Sequence, residues 1–260
     1  MTDKAQTAQQ PQKTGALAEL VEIIKTVVYA LAIALFLRVL FFQPYTIPSA
    51  SMEPNLYQGD YIIVSKYTYG YSRHSIPFSP NLFSGRVLEK PAHRGDIVVF
   101  KLPHDGKTDY VKRLIGLPGD RIQMKQGLLY LNDVQVPRVA LGSVKEDTGY
   151  GVREVMRYRE TLPGGKTYIT NDYGTDQDLD NSEQAFVVPE GHYFMMGDNR
   201  DNSSDSRVPP EAGGVGYVPA ENLEGKAQII LLSWTPNASL FKPWTWITEA
   251  QPSRFFNLLH

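Results

Sequence analysis

The amino-acid sequence predicts a mainly β protein: an antiparallel β domain with a small inserted subdomain, preceded by one N-terminal transmembrane helix. Three observations carry that expectation. An apolar stretch near the N-terminus, Thr26 to Phe42, is interrupted only by Arg38. Beyond it, short runs rich in β-branched and aromatic residues are cut by Pro and Gly, as strands are. No long helical period follows Phe42. A length of 260 residues suits an anchor plus one all-β domain, a class that runs past about 200 residues as a single unit.

Residues 1–16 are polar and rich in Gln and Thr, and are expected to form a disordered cytoplasmic tail. Residues 17–42 are the anchor. A span needs about 20 apolar residues, so the helix begins before Lys25, and Arg38 snorkels toward an interface. Lys4, Lys13 and Lys25 precede the apolar core, and the next Lys or Arg after Arg38 is Lys66. That asymmetry predicts a single pass with the N-terminus in the cytoplasm and the large domain outside. A cleavable signal peptide is the alternative, but its apolar core runs to only about 7–15 residues.

Residues 43–136 and 190–260 are read as two parts of one β domain, with 137–189 inserted between them. Candidate strands are Tyr61–Lys66, Ile97–Lys101, Thr108–Ile115, Leu128–Leu131, His192–Met196 and Ala227–Trp234. Leu131-Asn132-Asp133-Val134 reads as a hairpin turn, although Asn-Asp is a weaker signal than Asn-Gly. Tyr67–Pro91 is rich in Ser, Pro and Tyr and reads as a long irregular loop; the insertion is polar and poor in apolar alternation. Loops of that length are uncommon in compact domains. The aromatic-rich C-terminus (Trp234, Phe241, Trp244, Trp246, Phe255, Phe256) suits either a membrane interface or packing on the β core.

Composition removes several function classes. A net charge of -2 and a pI of about 6.2, with no basic run, argue against a nucleic-acid partner. The absence of cysteine excludes thiol catalysis, disulfides and Cys-based zinc sites. The five histidines show no metal spacing. The loop from Asp198 fails as a calcium loop because Arg200 stands at its third ligand position. Gly164-Gly165-Lys166-Thr167 resembles a P-loop tail, but Glu160 stands where that motif requires Gly. There is no Gly-x-Ser-x-Gly and no His-Glu-x-x-His. No metal and no cofactor are predicted.

What remains is a serine and a lysine. On a strand, Tyr110, Lys112 and Leu114 share one face while Val111, Arg113 and Ile115 share the other. Periodicity does not say which cation turns inward. Chemistry favours Lys112 as a base, because arginine is not deprotonated in proteins and a buried lysine is. To act near neutral pH its amine must drop about 3 units from about 10.4, a cost of about 4 kcal/mol, and burial is the available source. A surface strand position is the ordinary fate of a lone lysine. Ser51 lies in a turn between Pro48 and Pro54, with Ser49 placed to help bind an oxyanion. Alone, a serine in a Pro-rich loop more often caps or turns the chain. The polar loop Gly197–Arg207 follows an apolar strand and could set a hydroxyl beside the lysine.

Together these segments resemble the bacterial type I signal peptidase (leader peptidase) family of Ser-Lys proteases. The matching stretches are Ile47–Pro54, Gly59-Asp60 with its strand, Arg94–Phe100, Tyr110–Asp120 and Gly197–Arg207, in family order after an anchor. The resemblance implies Ser51 as nucleophile and Lys112 as general base. It implies Ser49 and the Ser51 N–H as oxyanion donors, Ser203 orienting the lysine, and Asp205 with Arg207 bracing the loop. Shallow apolar pockets lined by Tyr45, Ile47, Met52, Tyr110 and Val111 would accept small residues in an Ala-x-Ala pattern. The implied partners are preprotein signal peptides, membrane lipids and, by proximity, the secretion machinery. The implied location is the bacterial inner membrane, with the catalytic domain on the periplasmic side. Ala50 stands where the family often has Gly, and the 67–91 segment is long; neither touches the catalytic assignment. The rival readings are a self-cleaving Ser-Lys repressor, which would need a DNA-binding module, and a membrane-tethered β domain that binds without chemistry.

Overall fold

The computed structural model describes residues 15–147, 151–174, 177–239 and 241–259. The chain divides into two units, one ending at Arg38 and one beginning at Val39. Most of the expected tail, residues 1–14, lies outside the described residues. The apolar stretch forms helix α1 (Ala16–Leu40), 25 residues long and exposed throughout residues 17–38. At 1.5 Å per residue it is about 37 Å long, enough for a hydrocarbon core of about 30 Å. The helix stops two residues short of the boundary that hydropathy suggests, because Phe42 pairs with Ser65 at the start of a sheet.

The second unit is built from β1 (Phe42–Thr46), β2 (Asp60–Ser65), β3 (Ile97–Lys101), β4 (Asp109–Gly116), β5 (Arg121–Lys125), β6 (Leu128–Leu131), β7 (Val134–Gln135), β8 (Arg138–Asp147), β9 (Val152–Thr161), β10 (Thr167–Asp172), β11 (Phe186–Val187), β12 (His192–Met196), β13 (Val218–Pro219), β14 (Leu223–Ser233) and β15 (Asn257–Leu258). All named strand pairs are antiparallel. The principal sheet runs β1-β2-β14-β3-β4-β12-β13, with β15 on β14. Ile97 to Phe100 are all buried, as a continuous apolar run requires of a strand covered on both faces. Val98 and Phe100 enter one core cluster with Leu114 and Met195; Ile97 and Val99 enter another with Ile47, Met52 and Ile62. A third cluster joins Ile115, Phe194 and Met196 to a four-stranded sheet, β11-β5-β6-β7. Asn132 and Asp133 both have positive φ, 53° and 65°, as a two-residue I′ hairpin turn demands.

The 137–189 segment holds a three-stranded sheet, β10-β9-β8, and also β11, which pairs with β5. Within β9 only Val155 and Glu160 are buried. The Tyr67–Pro91 segment carries no strand but is fastened: Arg86 donates to the carbonyls of Tyr69, Gly70, Ala220 and Leu223 at 2.7–3.1 Å. Toward the C-terminus, Trp234 packs edge-on against Tyr61 and tilted against Phe255, whereas Phe241 and Ile247 are 94% and 84% exposed.

Candidate active site

Between Pro48 and Pro54 the chain makes one turn of 3-10 helix, Ala50–Met52. Such a turn leaves its first N–H groups without intrahelical partners, and the Ser51 N–H has no acceptor among the described residues. Met52 anchors the turn, 1% exposed, in the cluster with Ile62 and Val99. Its other side is clamped by the loop after β12. The Asn199 N–H donates to Ser51 O at 3.1 Å, and Asn199 Nδ2 donates to Ala50 O at 3.1 Å.

Lys112 reaches this turn from β4. Its Nζ donates to Ser51 Oγ at 2.6 Å and to Val111 O at 3.2 Å, with the Tyr110 ring 5.3 Å away. Ser49 Oγ lies 3.3 Å from Ser51 Oγ. Burial pushes the Lys112 amine down to about 8, against the attraction of Asp205 and Asp198; Arg207 adds a smaller push downward. The choice between Lys112 and Arg113 dissolves, because β4 is covered on both faces and both cations are buried, at 4% and 1% exposure. Arg113 grips Asp198 through Nε and Nη2, each at 2.7 Å, donates to Gly95 O, and stacks on the Tyr168 ring. Arg113 is thus a fixed charge and Lys112 a titratable one.

The loop that closes the site hangs on two carboxylates. Asp205 accepts from the Gly197 N–H at 2.9 Å, from the Arg207 N–H, and from Arg207 Nε and Nη2 at 2.9 and 2.8 Å. The Arg207 guanidinium and these N–H groups hold the Asp205 carboxyl below its usual range despite burial. Arg200 makes a bidentate pair with Glu160 on β9, and the Tyr168 hydroxyl joins it. Asn171 N donates to Asp198 O and Arg200 N donates to Asn171 O, so the end of β10 runs beside the loop. Sequence reasoning missed Asn199, Asp198, Arg200 and Glu160. The polar density of the loop signalled the first three; nothing in β9 marks Glu160.

Ser203 makes no hydrogen bond to Lys112 in this structure. Its buried hydroxyl has no hydrogen-bond partner among the described residues. A Cβ on Gly197 would stand 2.2 Å from Ser203 Oγ and 2.5 Å from Ser51 O, so Gly197 is the only residue small enough to let the two serines lie this close.

A cleft of about 500 Å³ opens on Ser51. All five residues expected to line pockets, Tyr45, Ile47, Met52, Tyr110 and Val111, border it, as do Ser49, Ser51 and Lys112. Among the described residues no His, Asp or Glu cluster could hold a metal ion.

The chemistry of this site agrees with what known proteins resemble the chain. A family profile described as signal peptidase, peptidase S26, matches residues 20–234. A signal peptidase I of Rickettsia massiliae (strain Mtu5) is 40% identical over 249 residues, covering 90% of this chain and 91% of that one. The signal peptidase I of Rickettsia typhi (strain ATCC VR-144 / Wilmington) is 40% identical over 248 residues, 89% of this chain and 91% of that one. A crystal structure of a signal peptidase I from Enterococcus faecalis V583 covers 53% of this chain and 97% of that one, at 28% identity and a TM-score of 0.30. With the profile spanning most of the sequence and the relatives nearly all of it, the chain belongs to the signal peptidase family, peptidase S26, and is a serine protease.

Proposed function

We propose that the chain removes N-terminal signal peptides from exported preproteins, cutting after small residues of Ala-x-Ala type, with Ser51 as nucleophile and Lys112 as general base. The observation that carries this is the 2.6 Å contact between Ser51 Oγ and a buried amine lowered to about 8. In that setting the neutral Nζ accepts the Ser51 proton as Oγ attacks the scissile carbonyl. The oxyanion forms where the unpartnered Ser51 N–H and the Ser49 hydroxyl can donate. Lys112 then protonates the departing amine, and the same amine takes a proton from the water that hydrolyses the ester.

The supporting roles follow the packing. Asp205 and Arg207 set the loop, and Ser203, buried with no competing partner across Gly197 from Ser51, is assigned to orient the lysine. In the cleft, β1 is the terminal strand of the principal sheet, and β4 pairs with β12 only from Arg113 onward. Both edges can therefore hydrogen-bond an extended substrate, whose small side chains fit the apolar lining around Ile47 and Val111.

Helix α1 is assigned as a retained single-pass anchor in the inner membrane, with residues 1–16 in the cytoplasm and the catalytic domain on the periplasmic side. The lysine asymmetry around the span supports that orientation. Confinement to one membrane raises the effective concentration of anchored preproteins and brings the enzyme near the secretion machinery.

The test uses detergent-solubilised full-length protein and a preprotein with an Ala-x-Ala site, reading the new N-terminus by mass spectrometry beside Ser51→Ala. One cut after the second Ala, absent in the variant, is expected. No cut overturns the proposal and favours the tethered binding domain, and a cut that survives Ser51→Ala overturns it in favour of a contaminating protease.

A further inference from the structure

Two walls of the cleft are tied to each other behind its lining. Tyr45 on β1 and Asp109 on β4 both border the cleft, and their strands are not neighbours in the principal sheet. The Tyr45 hydroxyl donates to Glu224 Oε2. Glu224 Oε1 lies 3.4 Å from Lys101 Nζ, and the same ammonium lies 2.5 Å from Asp109 Oδ1 and donates to Lys107 O at 2.9 Å. This strap of polar contacts therefore runs from β1 through β14 and β3 to β4.

Glu224 reaches its central place through a β-bulge. Leu223 pairs with Phe100 and Gly225 with Val99, so Glu224 is the extra residue on β14, and a bulge re-aims the side chain it carries. The Glu224 side chain is only 3% exposed. A buried carboxylate needs compensating charge, and Lys66 and Lys101 face it. Charge balance with two lysines does not call for a tyrosine hydroxyl as well. Tyr45 nevertheless directs its hydroxyl to Glu224 while its ring packs on the cluster that holds Ile47, Met52 and Val111. A half-buried ring on the terminal strand of the sheet is thereby pinned against the apolar lining.

We propose that Glu224 is a positioning residue: with Lys101 it holds Tyr45 and the start of β4 at a spacing that admits only small side chains. The size limit of the cleft is then set from behind its lining, through Tyr45 and Asp109. The inference rests on the reading of this cleft as the substrate site.

The experiment compares kcat/KM for preprotein-derived peptides carrying Ala or Leu at each of the two Ala positions of an Ala-x-Ala site. Full-length wild type is set beside Tyr45→Phe, Lys101→Met and Glu224→Leu. Tyr45→Phe removes the hydroxyl alone, and Lys101→Met keeps a long side chain without its charge. In wild type the Ala peptide should exceed the Leu peptide at least about tenfold at one position, the cost of a misfit of about one methylene in an apolar pocket. In the variants that ratio should shrink at least about threefold, because walls no longer tied can move apart. A role in stability alone would lower the rates of both peptides together and leave the ratio as it is. An unchanged ratio in Tyr45→Phe or in Lys101→Met therefore overturns the inference, while Ser51-dependent cleavage of the Ala peptide leaves the proposed cleavage standing. Equal rates for both peptides in wild type overturn the inference together with the small-residue preference. If thermal melting shows Glu224→Leu unfolded, the two outer substitutions decide. If wild type does not cut the Ala peptide, the proposed function falls and takes the inference with it.

Discussion

Lys112 must be uncharged to take a proton from Ser51, and burial has moved its amine most of the way. With a value of about 8, kcat/KM should fall about tenfold for each pH unit below about 8, because the base form of the free enzyme is lost there. A rate profile flat down to pH 5.5 would exclude this lysine as the base. Lys112→Arg should cost at least about 10³-fold in kcat, since a guanidinium fills the site but never gives up its proton; stopped assays on folded variant, checked by thermal melting, would show it. Glu53 offers a second titration two residues from Ser51. Burial, reinforced by Glu146, raises its carboxyl to about 7, against Arg157 and Arg254. In the folded state it holds a proton that the unfolded chain has released, so stability should decline as pH rises from about 4.5 to 7. Glu53→Gln should flatten that stretch of a Tm-against-pH curve, and an unchanged slope would assign the decline elsewhere. Ser51, Lys112 and the 197–207 loop were legible because each motif joins a reactive group to an unusual local context. Glu160 was not, because its partner Arg200 is forty positions away and neither residue looks unusual on its own strand or loop.

Among the elements, the strands with largely apolar runs were readable to the residue: Ile97–Lys101, Leu128–Leu131 and His192–Met196. β1 carries Pro44, which a strand tolerates at a sheet edge, and so gave little signal. β14 starts four residues before the expected Ala227 because Glu224 and Gly225, which look like turn residues, are buried beside a register shift. β8 and β9 escaped detection since few of their side chains are buried, and β10 because three of its buried side chains, Thr170, Asn171 and Asp172, are polar. That hairpin nevertheless carries Glu160 and Asn171 to the loop behind Ser51. Glu160→Ala leaves the buried Arg200 charge unpaired and should destabilise the protein by about 3–5 kcal/mol, read as a drop in the denaturant midpoint. A loss under about 1 kcal/mol would mean that Arg200 finds other partners, and that the hairpin does not hold the loop.

For the molecule as a whole, the cysteine-free sequence makes the proposed orientation directly measurable. A single cysteine at Thr7 should stay unlabelled by a membrane-impermeant maleimide on intact spheroplasts, while one at Val187, 52% exposed, should label. The reverse pattern would invert the topology. The mainly β class and the N-terminal apolar helix were legible from composition and apolar patterning; the order of strands in the principal sheet was not, because β14 inserts between β2 and β3 from far along the chain. The grip of Asn199 on the carbonyls of Ala50 and Ser51 carries a consequence for biosynthesis. The N-terminal helix, Ser51 and Lys112 all leave the ribosome within the first half of translation, yet the clamp that fixes the serine's turn lies about 150 residues behind it. Under the proposed function, a nascent chain whose N-terminal helix has already entered the bilayer therefore stays inert until the last quarter of the polypeptide has emerged and closed over the site.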